Sequence, residues 1–167
     1  MVRFCSLGGG LVLAALIAAP AGAADTVAGW DLTAKGKTCT MASTFEDDVT
    51  VGLIWSPTTG ELGFMATLPQ PDRIAAQKTA ALVLSFDGHG PFNEWDDERA
   101  KVVSGAGNVA VVANWGKAHA DDLARTVAGA TRVHVRIGER EIGSYDLSGN
   151  QAAYRALLNC GKQLAGR

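Results

Sequence analysis

The chain has 167 residues, 47% hydrophobic and 19% charged, with 15 Lys and Arg against 17 Asp and Glu for a formal net charge of −2. That length supplies one sizeable core and is short for two domains, and the mild charge, free of long runs of either sign, argues against a nucleic-acid binder or a protein held by charge on a membrane surface.

The N-terminus sets a basic start, Met1-Val2-Arg3, before the apolar run Leu11 to Ala19, then Pro20 and the small residues Ala21-Gly22-Ala23. The run is too short to cross a bilayer as a helix and ends in an A-x-A site, which is the build of a secretory signal peptide. Cleavage is predicted near Ala23, leaving residues 24–167 as a single exported domain, periplasmic or secreted. Cys5 precedes the apolar run and leaves with the leader, which argues against a lipoprotein. Loss of Arg3 takes the basic count from 15 to 14 and the charge to −3. No later run approaches the roughly 20 apolar residues of a membrane helix, so no stable membrane anchor is expected in the mature form. Its two cysteines, Cys39 and Cys160, are an even count in an oxidising compartment and predict one disulfide.

Gly29-Trp30-Asp31-Leu32 and Thr38-Cys39-Thr40-Met41 read as the opening strand or strands. A clean alternation follows, with Val49, Val51, Leu53 and Trp55 on one face and Thr50, Gly52, Ile54 and Ser56 on the other. Leu62, Phe64, Ala66 and Leu68 answer it across Pro57-Thr58-Thr59-Gly60, so the two segments form an antiparallel hairpin. Pro69-Gln70-Pro71 interrupts the pattern as a connection. Further strands are expected at 81–86, ending in an Asp87-Gly88 turn, at 100–103, and at 109–113. Between Asn114 and Gly129 the period becomes helical, with Ala120, Leu123, Ala124 and Val127 on one stripe. Two more strands, 133–137 and 142–147, lead to a closing helix. Ser148-x-x-Gln151 is predicted to cap it, and Ala153, Ala156, Leu157 and Cys160 share its inward stripe. The fold expected is α+β: about seven to eight mostly hairpin-linked antiparallel strands, one helix inserted late, one at the C-terminus, and helices on one face. A β-sandwich or partly closed barrel with attached helices is the alternative.

Few residues carry chemistry. Gly105-Ala106-Gly107-Asn108-Val109-Ala110 fits G-x-G-x-x-A, but strand-forming Val-Ala-Val-Val-Ala follows where a dinucleotide site needs a helix, so a hairpin turn is expected and no cofactor. Nucleophile motifs and zinc spacings are absent from the mature chain. Glu46-Asp47-Asp48 and Glu94 through Glu98 lack the spacing by which one loop wraps calcium and read as charged turns. Arg132, His134, Arg136 and Arg140 form a basic stripe that would suit a polyanion but reads first as a hydrated strand face. His119 and His134 read as solvated surface residues. His89, Trp95 and Trp115 are the candidate ligand-binding residues, at loop junctions where an indole can line a groove for a sugar, peptide or lipid.

The ending Ile142-Gly-Ser-Tyr-Asp-Leu-Ser-Gly-Asn-Gln-Ala-Ala-Tyr-Arg-Ala-Leu-Leu-Asn-Cys160, with the earlier Trp30-to-Cys39 segment, resembles a group of small exported proteobacterial α+β domains, although Asn150 stands where serine is usual. The resemblance implies a periplasmic, disulfide-linked domain and transfers no activity. Function is therefore expected to be non-enzymatic binding of a protein, peptide or envelope component, not of nucleic acid. The alternatives are a hydrolase with a His/carboxylate site assembled from distant loops and a Ca2+ or polyanion binder.

Overall fold

A computed structural model of the chain describes residues 25–69, 73–88, 93–105 and 107–166. The predicted leader with its expected cleavage site, and His89, lie outside the described residues. In chain order the elements are β1 (Asp25–Val27), β2 (Trp30–Lys35), β3 (Thr38–Thr44), β4 (Thr50–Ser56), β5 (Glu61–Leu68), a 3-10 turn (Arg73–Ala76), β6 (Thr79–Gly88), β7 (Glu94–Ser104), β8 (Val109–Asn114), α1 (Lys117–Gly129), β9 (Ala130–Ile137), β10 (Arg140–Asp146) and α2 (Asn150–Ala165).

Among the described residues all strands belong to one antiparallel sheet in the order β1-β2-β3-β4-β5-β8-β7-β6-β9-β10. It has ten strands, not the seven to eight that the alternation predicts, because the three-residue β1 carries no detectable period and the first two segments form separate strands. Five strands meander, β6 to β8 enter in reverse order, and α1 carries the chain over β7 and β6 to β9. The sheet is open, with β1 and β10 at its two ends.

One face is the core. The row Cys39–Trp55–Leu62 crosses β3 to β5, and the rows Met41–Leu53–Phe64–Ala113 and Val51–Ala66–Val111 run on into β8. Beyond it, Leu84–Val135 and Phe86–Val133 continue the same face. Burying each such aliphatic or aromatic side chain contributes about 1.5–3 kcal/mol. Both helices cover this face, α1 over β5 and β6 and α2 over β2 to β4, and they touch each other. The expected stripes are the ones used: Ala120, Leu123, Ala124 and Val127 in α1, Ala153 and Leu157 in α2. Cys39 and Cys160 are joined as a disulfide with Cα atoms 6.2 Å apart, fixing α2 to β3.

The sheet curls around the helices. Its last strand reaches back to the β3–β4 turn, where the Tyr145 and Phe45 rings are 4.8 Å apart and the Tyr145 hydroxyl donates to Asp47 Oδ2 at 2.9 Å. Trp30 Nε1 donates to the Ser148 carbonyl at 3.0 Å, holding the segment before α2 to β2. Two glycines on the outward face allow the close strand approach: a Cβ at Gly52 would collide with the Met41 carbonyl oxygen, and one at Gly63 would lie 2.6 Å from that of Ala113.

Three local expectations need correction. The predicted capping box does not form: α2 begins after a left-handed Gly149, Ser148 N–H donates instead to Asp146 Oδ1, and the Gln151 amide donates to the Ala128 carbonyl. Asp87-Gly88 is not a turn, since both residues pair with β9 as part of β6. Glu94 through Glu98 do not form a charged turn either; they are the first half of β7.

Candidate functional site

β7 begins Glu-Trp-Asp-Asp-Glu-Arg-Ala, and its geometry depends on one extra residue. Ala100 pairs with Ala80, but three residues earlier Asp97 pairs with Leu82, so β7 carries a bulge against β6. Counting back by twos from buried Ala100 would turn Glu98, Asp96 and Glu94 into the core. The bulge reverses the phase, so Trp95 packs inward while Glu94 and Asp96 stay exposed. Arg99 N–H donates to Asp97 Oδ1 at 2.9 Å across the irregularity.

Trp95 is 6% exposed. The indole of Trp115, half-buried in the β8–α1 connection, meets it edge to face with centroids 5.4 Å apart and planes at 72°. The His119 ring, exposed on the first turn of α1, lies 6.5 Å from Trp95. Trp115 Nε1 donates to the Asp96 carbonyl at 2.7 Å, fixing the β8–α1 connection against β7. Glu94, Trp95, Asp96, Trp115 and His119 line a shallow cleft of about 190 Å³. Trp95 and Trp115, twenty positions apart in sequence, therefore share one cleft. His119 joins them because it sits two residues into a helix that begins just after Trp115, a proximity that its reading as a solvated surface residue missed.

The other tryptophans are structural. Trp30 is buried under the segment before α2, and Trp55 packs on Gly161 of that helix. His134 Nε2 lies 3.1 Å from Asp87 Oδ2 on the outward face, with Ser85 and Ser144 directly across from His134 on β6 and β10. The pair is exposed and stands on an open strand surface. Arg132 is flanked across the strands by Asp87 and Asp146, and Arg136 faces Glu141, so carboxylates interrupt the basic stripe. Asp146 is held below the usual carboxylate range by its hydrogen bonds from Ser148, with a smaller contribution from Arg132. Among the described residues, no three His, Cys, Asp or Glu side chains gather closely enough to hold a metal ion, and no helix is long and apolar enough to cross a membrane.

Fold and cleft together define an antiparallel α+β arrangement with an aromatic cleft where the start of β7 meets the β8–α1 connection. No family model, curated protein or solved structure matches the chain.

Proposed function

We propose that this chain is an exported binding domain, without chemistry of its own, whose ligand seats in the cleft between Trp95 and Trp115. The meeting of the two indoles beside His119 carries the reading: aromatic surface backed by a rigid sheet and bordered by a few polar groups is what a small recognition site requires. At about 190 Å³ the cleft is smaller than the roughly 300 Å³ at which drug-sized pockets begin, so it suits one or two residues or a single head group.

The four tryptophan indole N–H signals of the 15N-labelled mature chain provide the test. Titration with probe peptides, oligosaccharides and lipid head groups is expected to shift the Trp95 and Trp115 signals together while Trp30 and Trp55 stay fixed. A panel that moves none of them, or moves all four alike, overturns the reading.

The His134–Asp87 pair, with serines facing it on both sides, favours a hydrolase as the second reading. That reading requires ester or amide hydrolysis by the mature chain that His134→Ala abolishes. Equal rates in the two proteins would remove it.

A further inference from the structure

The cleft has a second property, carried by backbone. The β7–β8 ladder covers only Lys101 to Ser104, so the first half of β7 lies beyond it, paired with β6 on its other side. Phe86 N–H donates to the Asn93 carbonyl at 2.7 Å, which sets the alternation of the β6–β7 ladder. In an antiparallel pair every second residue turns its N–H and C=O away from its partner. Glu94 and Asp96 are therefore the residues whose backbone groups face the cleft, and the bond from Trp115 Nε1 to the Asp96 carbonyl shows that direction in use. Strand edges of this kind template the addition of another extended segment.

Charge selects the segment. Glu94 and Asp96 line the cleft with the half-buried Trp115, Glu98 adds a third exposed carboxylate to this half-strand, and the Asp97 carboxylate is engaged by the Arg99 N–H. An aromatic face next to carboxylates attracts a cation by both ring quadrupole and charge. A sugar would need broad stacking faces, whereas Trp95 is buried and stands edge-on to Trp115.

We propose that the Glu94–Asp96 edge of β7 takes up a short extended peptide carrying an arginine or lysine. The peptide backbone pairs with Glu94 and with the Asp96 N–H, the Asp96 carbonyl being held already by Trp115 Nε1, and its cationic side chain lies against Trp115 in the cleft that Glu94 and Asp96 also line. This rests on the cleft being a binding site and adds what it binds.

The probe is the blocked pentapeptide Ala-Ala-Arg-Ala-Ala, compared with the same peptide bearing citrulline and with a version N-methylated at its central backbone amide. Titrations of the 15N-labelled mature chain are expected to shift the Glu94 and Asp96 amides and the Trp115 indole. Citrulline, backbone methylation and the double variant Glu94→Gln/Asp96→Asn are each expected to weaken binding by about tenfold. All carry exposed or external changes, so folding is unaffected.

Equal binding of arginine and citrulline peptides overturns the proposal, as does equal binding of the N-methylated one. An oligosaccharide that shifts Trp95 and Trp115 while the peptides do not overturns it too, but leaves the cleft a binding site. Silence of those indoles toward every probe overturns both.

Discussion

Gly161 occupies the interior of α2, where glycine costs about 1 kcal/mol relative to alanine, yet a Cβ there would collide with the Trp55 indole. Close approach of helix and strand therefore outweighs propensity at this position. Gly161→Ala is expected to lower stability by about 1–2 kcal/mol despite its better propensity, measured by urea unfolding followed through tryptophan emission. A stability equal to or above that of the parent would contradict this packing. Tyr145 gives a second residue-scale test. Burial, then the hydrogen bond to Asp47 and the nearby charges of Asp47 and Glu141, push its phenol well above the ordinary tyrosine value. The unfolded chain ionises near pH 10 while the fold resists, so this contribution is present below about pH 10 and is lost as pH rises beyond it. Tyr145→Phe should be less stable than the parent at pH 7, by about 1 kcal/mol for the lost hydrogen bond, and the gap should narrow above pH 10. Thermal melts of both proteins from pH 7 to 11 read the difference, and parallel curves would refute it.

At the scale of elements, the junction of α1 and α2 depends on a residue that pattern reading passed over. The buried Asn150 amide donates to the Val127 carbonyl and, at 3.0 Å, to that of Ala130, so it ties the start of α2 to the end of α1 and the first residue of β9. Its side chain thus bonds a neighbouring element, a role that the predicted Ser148-x-x-Gln151 cap around it gave no sign of. Asn150→Ala removes both bonds, leaving the Val127 carbonyl only the Ala130 N–H and depriving the Ala130 carbonyl of the Asn150 donor, and is expected to cost about 1–3 kcal/mol. Hydrogen exchange should show faster opening of the last turn of α1 and the first turn of α2; unchanged protection at both would count against the clamp. The hairpin of β4 and β5, the inward stripes of both helices and the disulfide partners were all legible, because each rests on period or on counting. β7 was not, beyond residues 100–103. Its bulge breaks the period of two at Asp97, so Glu94 through Glu98 read as a solvated turn, and with them went any sign that Trp95 would face Trp115. Three-dimensional pairing supplies the missing phase, and no single strand's sequence contains it.

For the whole molecule, α+β with helices on one face follows from short connections and amphipathic stripes, whereas the strand order does not. Nothing between Leu68 and Val109 announces that β8 returns beside β5, since the rows of Phe64, Ala66 and Leu68 could accept any apolar strand. The Cys39–Cys160 bond spans 121 positions of this arrangement and fastens the first half of the sheet to the last helix. Replacing both cysteines by serine is expected to cost about 4–5 kcal/mol in the chain-entropy description. Chemical unfolding of the oxidised, reduced and double-serine proteins measures it, with the last two agreeing; a loss below 1 kcal/mol would show that packing of α2 suffices alone.

The same topology sets a timetable. A chain that emerges N-terminus first completes β1 to β5 before either helix exists, leaving Met41, Leu53 and Phe64 uncovered and the β5 edge without the neighbour that arrives only with Val109 to Asn114. Cys39 likewise waits as a lone thiol until residue 160 has followed it. Almost nothing in the first half can settle before the last sixteen-residue helix is delivered, so the half-made chain is the form most exposed to aggregation and to wrong thiol partners, and the finished one the least.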